Sequence, residues 1–233
     1  MNEMIGHGRR HAPDERDLKH LMPRRREAQD IEHRYWNTPP AYDQGSTPMC
    51  VAYAGVRYLA SGPVVNKPIP FDELYHACQS VDEWPGEDYD GTSVRACFKV
   101  FQQRGLILEY QWAFEAQPVV DHLLTFGPVV MGTVWSGHMA NLPDSGELTV
   151  DEDLSNVQDG HAWCLIGASR SRVNADGSRG AARGVNSWGK NWGHSKGRFW
   201  VSFNALDRLI KADGEAAIAT EVANVSRGTS EVT

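Results

Sequence analysis

The hydrophobic pattern of the chain changes at Pro128, from the period of a helix to the alternation of a strand. Before this proline, apolar side chains recur three and four residues apart, as on one face of a helix. The predicted helices cover 47–59, 72–79, 93–104 and 119–126. After it, short apolar segments rich in β-branched residues are typical of strands. The predicted strands cover 129–135, 161–169, 182–187 and 198–203, with a hairpin turn at 173–180. Helices first and strands second predict an α+β fold of two packed halves, with the cleft between them as the expected site.

The chain divides into four segments. Residues 1–40 are polar and broken by prolines, which predicts an N-terminal arm with little regular structure. We expect 41–127 to form a mainly helical half and 128–212 a mainly antiparallel β half. Residues 213–233 are small and polar, which predicts a frayed C-terminal tail.

The charge balance bears on the partners of the chain. Its 233 residues carry 23 Lys and Arg against 30 Asp and Glu, a net charge of −7. A nucleic-acid-binding surface is therefore not expected, and we interpret the basic run at 24–26 as part of a solvated arm. The polar N-terminus does not resemble a signal peptide, and the most apolar segment, 128–135, is too short to span a bilayer. These features predict a cytoplasmic protein without a membrane partner, and they leave its oligomeric state open.

Four cysteines raise the question of which one reacts. Cys50, Cys78, Cys97 and Cys164 are too sparse for a disulfide scaffold and form no CxxC pair, so no metal site is expected. Three of them lie on apolar faces, where a buried, inert thiol is expected. Cys50 is instead the third residue of a helix if Thr47 is the cap. The free N–H groups and positive dipole end of that first turn favour a thiolate, so we expect a lowered pKa.

Three blocks of sequence resemble the papain-like cysteine peptidases. Gln-Gly-Ser-Thr-Pro-Met-Cys at 44–50 is similar to the segment in which a Gln-Gly pair precedes the nucleophile. Gly-His-Ala at 160–162 opens a strand, as the catalytic histidine of the family does. Asn-Ser-Trp-Gly-Lys-Asn-Trp-Gly at 186–193 resembles the asparagine block of the family. The resemblance extends over roughly residues 38 to 210, and the order of the blocks is that of the family.

The resemblance implies a papain-like fold and a role for each matched residue. Cys50 would attack an amide carbonyl as a thiolate, with His161 as general base and then acid. Asn186 would fix the histidine tautomer by accepting a hydrogen bond from its other nitrogen. The Gln44 amide and the Cys50 backbone N–H would stabilise the oxyanion. This chemistry needs no cofactor and no metal.

Three further residues are expected near a peptide or protein substrate. Gly91 lies where the family has a glycine-containing strand before a helix, although this match is weaker. Trp188 would shield the His161–Asn186 hydrogen bond from water. Trp192 would form part of the wall on the leaving-group side.

The chain departs from the family beside the nucleophile. Thr47 and Pro48 replace the usual cysteine and glycine, so the disulfide that the family forms from the first position is absent. Met49 replaces a small residue and is expected to narrow the cleft. Only 49 residues precede Cys50, fewer than the long prosegment common in the family. The arm is instead expected to wrap the body or cover part of the cleft.

Two acidic loops predict a preference for basic substrates or partners if both border the cleft. They contain Asp82, Glu83, Glu87, Asp88 and Asp90, and then Asp144, Glu147, Asp151, Glu152 and Asp153. Solvated loops explain the same charges equally well. We predict a peptidase for peptide or isopeptide bonds, with two alternatives. One is an acyltransferase that uses the same residues, and the other is a catalytically silent binding module of the same fold.

Overall fold

The computed structural model describes residues 7–84, 89–157, 159–193 and 195–222. The helices in these residues are α1 (Cys50–Leu59), α2 (Phe71–Gln79), α3 (Val94–Gln103), α4 (Ala116–Thr125) and α5 (Phe203–Lys211). The strands are β1 (His33–Tyr35), β2 (Tyr110–Ala113), β3 (Val129–Val134), β4 (Gly160–Val173), β5 (Arg179–Val185), β6 (Arg198–Ser202) and β7 (Glu215–Ala219). Short 3₁₀ helices cover Glu15–Lys19, Arg26–Ala28 and Gly137–Ala140. None of the helices in the described ranges is long and apolar enough to cross a bilayer.

One antiparallel sheet organises the fold. Its strand order is β2-β7-β3-β4-β5-β6, and β1 pairs with the long strand β4. Because side chains alternate along a strand, the two faces of the sheet bury different residues. Val130 and Cys164 pack in the core formed with α1, α2 and α3, whereas Met131 and Leu165 pack in the core formed with α4 and α5. The predicted α+β architecture, with helices against an antiparallel sheet, is confirmed.

The expected division into segments needs two corrections. Residues 213–233 were expected to fray, but β7 lies between β2 and β3 in the sheet and is buried along its whole length. Its sequence, Glu-Ala-Ala-Ile-Ala, is mostly alanine, which has a weak strand preference. The strand could therefore not be predicted from composition. The helical half 41–127 is also not one unit, because α4 packs on the opposite sheet face from α1–α3.

The last predicted strand ends early for a local reason. Ser202 closes β6, and its hydroxyl accepts a hydrogen bond from the Ala205 N–H at 3.2 Å. This is an N-cap, so the chain turns into α5 at Phe203 instead of continuing as a strand.

The arm runs along the body of the molecule. Ala12, Met22 and Ala28 are buried, and Asp17 forms a buried ion pair with Arg95 of α3. The basic run is not wholly solvated, because Arg24 Nε donates to an Asp121 carboxylate oxygen of α4 at 2.9 Å. Irregular backbone is thus held in place by side-chain contacts with the folded halves.

Candidate active site

The turn before α1 places Gln44 beside Cys50. The Gln44 carbonyl accepts from the Thr47 hydroxyl at 2.7 Å and from the Thr47 N–H at 3.2 Å. The prediction that Thr47 caps the helix is therefore wrong. Met49 occupies the N-cap position, without a side-chain hydrogen bond, and Cys50 is the first helical residue. The sulfur still lies at the helix start, where the Val51 backbone N–H acts to lower the pKa of Cys50.

His161 and Asn186 come together at the ends of adjacent strands. His161 is the second residue of β4, and Asn186 directly follows β5. The two side chains join through Nε2 of His161 and Oδ1 of Asn186 at 2.7 Å, and both residues are fully buried. Because Asn186 Oδ1 is an acceptor, it fixes the proton on Nε2 and leaves a lone pair on Nδ1, which makes no hydrogen bond. The Ala162 backbone N–H acts to lower the pKa of Cys50, so the histidine strand and the cysteine helix meet here.

Ser187 links the asparagine to the glutamine. Its hydroxyl donates to Gln44 Oε1 at 2.5 Å, and its N–H donates to Asn186 Oδ1 at 2.7 Å. With its oxygen bound in this way, Gln44 turns its amide nitrogen towards the start of α1, where Nε2 donates to the Thr47 carbonyl at 2.7 Å. An amide nitrogen has two hydrogens, so this orientation suits an oxyanion donor.

Aromatic rings surround the histidine. The centroid of the Trp188 ring lies 4.7 Å from that of His161, and the Trp135 ring meets His161 edge-on at 4.9 Å. Trp192 packs edge-on behind Trp188 at 5.3 Å, and its Nε1 donates to the Ala140 carbonyl at 2.8 Å. The histidine therefore lies in an apolar environment that excludes water.

The arm passes directly over this site. We call residues 7–10 the cleft segment. The N–H groups of Gly8 and Arg9 donate to the Gly160 carbonyl at 3.2 and 3.1 Å. On the other side, the Thr92 N–H donates to the Gly8 carbonyl at 2.9 Å, and the Arg10 N–H donates to the Thr92 carbonyl at 2.9 Å. The cleft segment thus pairs with both walls of the cleft at once.

Glycines make this close approach possible. A Cβ on Gly91 would lie 2.2 Å from the Gly8 oxygen, and one on Gly160 would lie 2.2 Å from the Arg9 oxygen. A Cβ on Gly8 itself would lie 2.1 Å from the Pro48 oxygen. All three contacts are with backbone atoms, which cannot rotate away. Gly91, predicted to contact substrate, contacts the arm in this structure.

Burial beneath the cleft segment determines the protonation of the site. Desolvation raises the pKa of Cys50 to about 12, although backbone N–H groups of Ala162, Val51 and Arg9 oppose it. Desolvation also lowers the pKa of His161 to about 3, against the effect of the Asn186 hydrogen bond. The expectation of a lowered Cys50 pKa is therefore wrong for this closed arrangement, because the cost of burying a charge exceeds the helix-dipole effect.

The first acidic loop borders the cleft segment. The Arg10 guanidinium lies over the rings of Trp84 and Tyr89, 4.0 and 4.2 Å from their centroids. Asp82 is buried and accepts from the hydroxyls of Tyr89 and Thr92. The Asp82 carboxylate thus binds groups of its own loop. Glu87 and Asp88 lie outside the described residues.

The sequence led us to expect that the arm wraps the body or covers part of the cleft, but it did not show that residues 7–10 do so or that the Arg9 guanidinium contacts Glu215. Neither the cleft segment nor Glu215 belongs to a motif, and Glu215 lay in the expected tail. The structure also leaves all four cysteines unpaired and buried. Within the described ranges, no group of three or more His, Cys, Asp or Glu side chains could hold a metal ion.

Comparison with solved structures shows which fold this is. Xylellain, a cysteine protease from Xylella fastidiosa, is 16% identical, with a TM-score of 0.63 over 96% of this chain and 99% of that one. Digestive procathepsin L 3 from the larval midgut of Tenebrio molitor is 14% identical, with a TM-score of 0.66 over 94% of this chain and 77% of that one. The cysteine protease and lectin-like domains of Cwp84 from Clostridium difficile are 15% identical, with a TM-score of 0.63 over 95% and 57%. No protein-family model and no curated protein matches the chain. At these identities the likeness shows a shared fold.

Proposed function

We propose that this chain, which has the papain-like fold, is a cysteine peptidase that hydrolyses peptide or isopeptide bonds through a thioester on Cys50. One observation carries the proposal: the buried 2.7 Å bond from His161 Nε2 to Asn186 Oδ1, with Nδ1 left free, beside a thiol at a helix start. A neutral imidazole with one nitrogen held and the other free can take up and release a proton, as general acid–base catalysis requires.

Each step uses an atom already described. His161 Nδ1 takes the proton of the Cys50 thiol, and the sulfur attacks the substrate carbonyl carbon. The resulting oxyanion accepts hydrogen bonds from Gln44 Nε2 and the Cys50 N–H. The imidazolium then protonates the leaving amine, which departs and leaves a thioester. Water, deprotonated by His161, attacks the thioester and releases the acid and the free thiol.

The closed cleft must open before a substrate can bind. Cys50 and His161 have no exposed surface, and the cleft segment occupies the hydrogen-bonding groups of Gly160 and Thr92. When residues 7–10 leave, water reaches the site, the desolvation of the sulfur falls, and the helix start again favours a thiolate. The open form is thus the reactive one.

Labelling with iodoacetamide and with a peptide epoxide tests the proposal. We expect Cys50 to be modified faster than the other three thiols, and faster still when Gly8→Ala opens the cleft. His161→Ala should slow the modification, and Cys50→Ala should abolish it. Cys164→Ala, which removes another buried thiol, is the matched control and should leave the Cys50 rate unchanged.

Two results separate the alternatives. If the Gly8→Ala protein shows no Cys50 labelling above that of Cys78 and Cys97, the chain is a silent module and the proposal is wrong. Mass analysis of the peptide products with and without an added amine then distinguishes a hydrolase, which releases the acid, from an acyltransferase, which forms the amide. Only acid product, even with amine present, is expected for the peptidase.

A further inference from the structure

The sheet carries a row of paired residues away from the cleft. Tyr35 on β1 and Arg183 on β5 both lie opposite Gly167 of β4, and Arg183 in turn lies opposite Trp200 on β6. Side chains of directly paired residues project from the same face of a sheet. Gly167 follows His161 by six residues on β4, which is about 20 Å of extended strand. The row is therefore separate from the candidate active site.

Gly167 turns this row into a pocket. A Cβ on Gly167 would lie 2.7 Å from Tyr35 Cδ1 and 2.8 Å from Tyr35 Cα. Because no side chain stands there, the Tyr35 ring meets the Trp200 ring edge-on, with centroids 5.9 Å apart. Beside these rings lies a cavity of about 360 Å³, whose lining includes Tyr35, Arg183, Arg198 and Trp200. We call it the arginine pocket, and its volume is in the range of small-molecule sites.

Three arginines gather at this pocket. The guanidinium groups of Arg172 and Arg183 lie over the Trp200 ring, 4.4 and 4.5 Å from its centroid. Arg198 precedes Trp200 by two positions on β6, so it projects from the same face and lines the cavity as well. The chain as a whole has a net charge of −7, so this concentration of positive charge is a local feature.

The protein does not neutralise these charges. Within the ranges that the structure describes, the guanidinium groups of Arg172, Arg183 and Arg198 form no ion pair and no hydrogen bond. By comparison, Arg95 and Arg104 each pair with a carboxylate. Burial lowers the pKa of Arg183, and the charges of Arg198 and Arg172 lower it further. Half-buried like charges without acceptors are unfavourable, so the pocket is suited to an anion from outside.

We infer that the arginine pocket binds a small phosphorylated molecule, whose phosphate group Arg183 and Arg198 hold. A guanidinium donates two parallel hydrogen bonds from a planar fork, which matches the oxygens of a phosphate. A phosphate monoester carries close to two negative charges at neutral pH, so it compensates several cations better than a carboxylate does. The inference goes beyond the proposed function and does not depend on the reactivity of Cys50.

The Tyr35 ring offers a surface for the rest of the ligand. This residue is 48% exposed, whereas the Trp200 ring already contacts two guanidinium groups. An aromatic ring is a large apolar surface on which another ring can pack. We therefore expect the ligand to combine a phosphate with an aromatic or apolar body.

Isothermal titration calorimetry at pH 8 and constant ionic strength provides the test. The probes are phenyl phosphate, inorganic phosphate and benzoate, each added to the intact chain. We expect phenyl phosphate to bind most tightly, because it supplies both the dianion and the ring. Benzoate has the ring but only one charge, and it should bind at least about tenfold more weakly.

Substitutions assign the binding to the pocket. Arg183→Gln and Arg198→Gln should each weaken phenyl phosphate binding by about 10- to 100-fold, the range for a hydrogen bond to a charged group. Arg26→Gln, the same change of charge at an exposed arginine of the arm, is the matched control and should leave the affinity unchanged. Tyr35→Ala should bring the affinities for phenyl phosphate and inorganic phosphate together, and this ratio does not depend on the folded fraction.

A second variant covers the case in which Arg183→Gln does not fold. Arg183→Lys keeps the charge and the stem that packs on Trp200, but it lacks the planar fork. It should still bind phenyl phosphate less tightly than the unaltered chain does. Thermal denaturation checks that each variant is folded before it is titrated.

Three outcomes would overturn the inference. Absence of phenyl phosphate binding to the unaltered chain would mean that the arginines serve only to pack Trp200. Affinities unchanged in Arg183→Gln and Arg198→Gln would move the binding to another surface. Inorganic phosphate that binds as tightly as phenyl phosphate would assign the pocket to the free ion instead of a phosphorylated molecule.

Discussion

At the scale of single residues, one oxygen atom determines the state of the histidine. Asn186 Oδ1 accepts from His161 Nε2 and from the Ser187 N–H, both at 2.7 Å. An acceptor held by a backbone N–H cannot rotate to present its amide nitrogen. The ring therefore keeps its lone pair on Nδ1 without help from any charged group.

Asn186→Ala should reduce peptidase activity and stability together. It leaves a fully buried N–H without a partner, which costs about 1–3 kcal/mol of unfolding free energy. We expect kcat/KM to fall at least about tenfold, because general acid–base catalysis contributes 10²–10⁴-fold and needs the oriented ring. Urea denaturation and peptide hydrolysis measure the two effects.

Asn174→Ala is the matched control for that change. Asn174 is also buried, and its Nδ2 donates to the Ser178 hydroxyl and the Gly180 carbonyl in the β4–β5 hairpin. It should lose similar stability with kcat/KM unchanged. An equal loss of activity in both variants would show that Asn186 acts only through stability.

The sequence reveals some of these residues and hides others. Cys50, His161, Asn186 and Gln44 each stand in a block of several residues, so their positions could be predicted, although their roles stay proposals. Arg9 and Glu215 lie 206 residues apart, and neither stands in a recognisable motif. Only the folded sheet brings them together.

At the scale of elements, the match between the cleft segment and its walls depends on backbone contact. At each of three glycines, the carbonyl oxygen of another residue occupies the place that a Cβ atom would take. These glycines are Gly8, Gly91 and Gly160. Such contacts cannot be relieved by rotamer changes. The segment therefore fits only while these positions stay glycine.

Gly8→Ala should expel the cleft segment and leave the body intact. The added Cβ would lie 2.1 Å from the Pro48 oxygen, so the closed arrangement becomes sterically impossible. We expect the rate of Cys50 alkylation at neutral pH to rise at least about tenfold, since burial no longer raises the thiol pKa. Thermal denaturation should show the body still folded.

Gly137→Ala is the matched control, because a Cβ there meets no atom within 4 Å. Its alkylation rate should equal that of the unaltered chain. A Gly8→Ala protein that alkylates no faster would show that the segment does not limit access to Cys50.

Elements with strong local signals were predictable, and those stabilised by their neighbours were not. The expected helix 93–104 is α3 (Val94–Gln103), because its apolar stripe is regular and the Ser93 hydroxyl caps it by accepting from the Ala96 N–H. The strands β2 and β7 pair with each other, but β2 has only four residues and β7 is mostly alanine, so neither gives a clear strand pattern in the sequence. Their position in the sheet, not their composition, makes them strands.

At the scale of the whole molecule, the closed cleft couples to pH through His7. Its ring lies 5.8 Å from the rings of both His161 and Trp188, and burial lowers its pKa while Asp159 opposes this. The closed form therefore binds fewer protons at His7 than the open form does. In the proposed mechanism the Cys50 proton passes to His161, so the ionisation of this pair adds no net proton on opening.

Acidification should therefore open the cleft. Below the ordinary histidine pKa of about 6.5, opening becomes easier by up to about tenfold per pH unit, until the lowered pKa of His7 is reached. Hydrogen exchange of the Gly8 and Arg9 amides, corrected for intrinsic rates, should show less protection at pH 5 than at pH 7. In His7→Gln this difference in protection should become smaller, and what is left belongs to His11, whose pKa is also lowered by burial. A pH effect of unchanged size in this variant would assign the coupling to another group.

The pairing of Arg9 with Glu215 also has a consequence for the order of biosynthesis. The ribosome makes Arg9 first, and its partner emerges only after 205 further residues have been joined. The strand β7 must then insert between β2 and β3 before the carboxylate is in place. Closure of the cleft is therefore among the last events of folding. A chain in the closed form is one in which the sheet is complete.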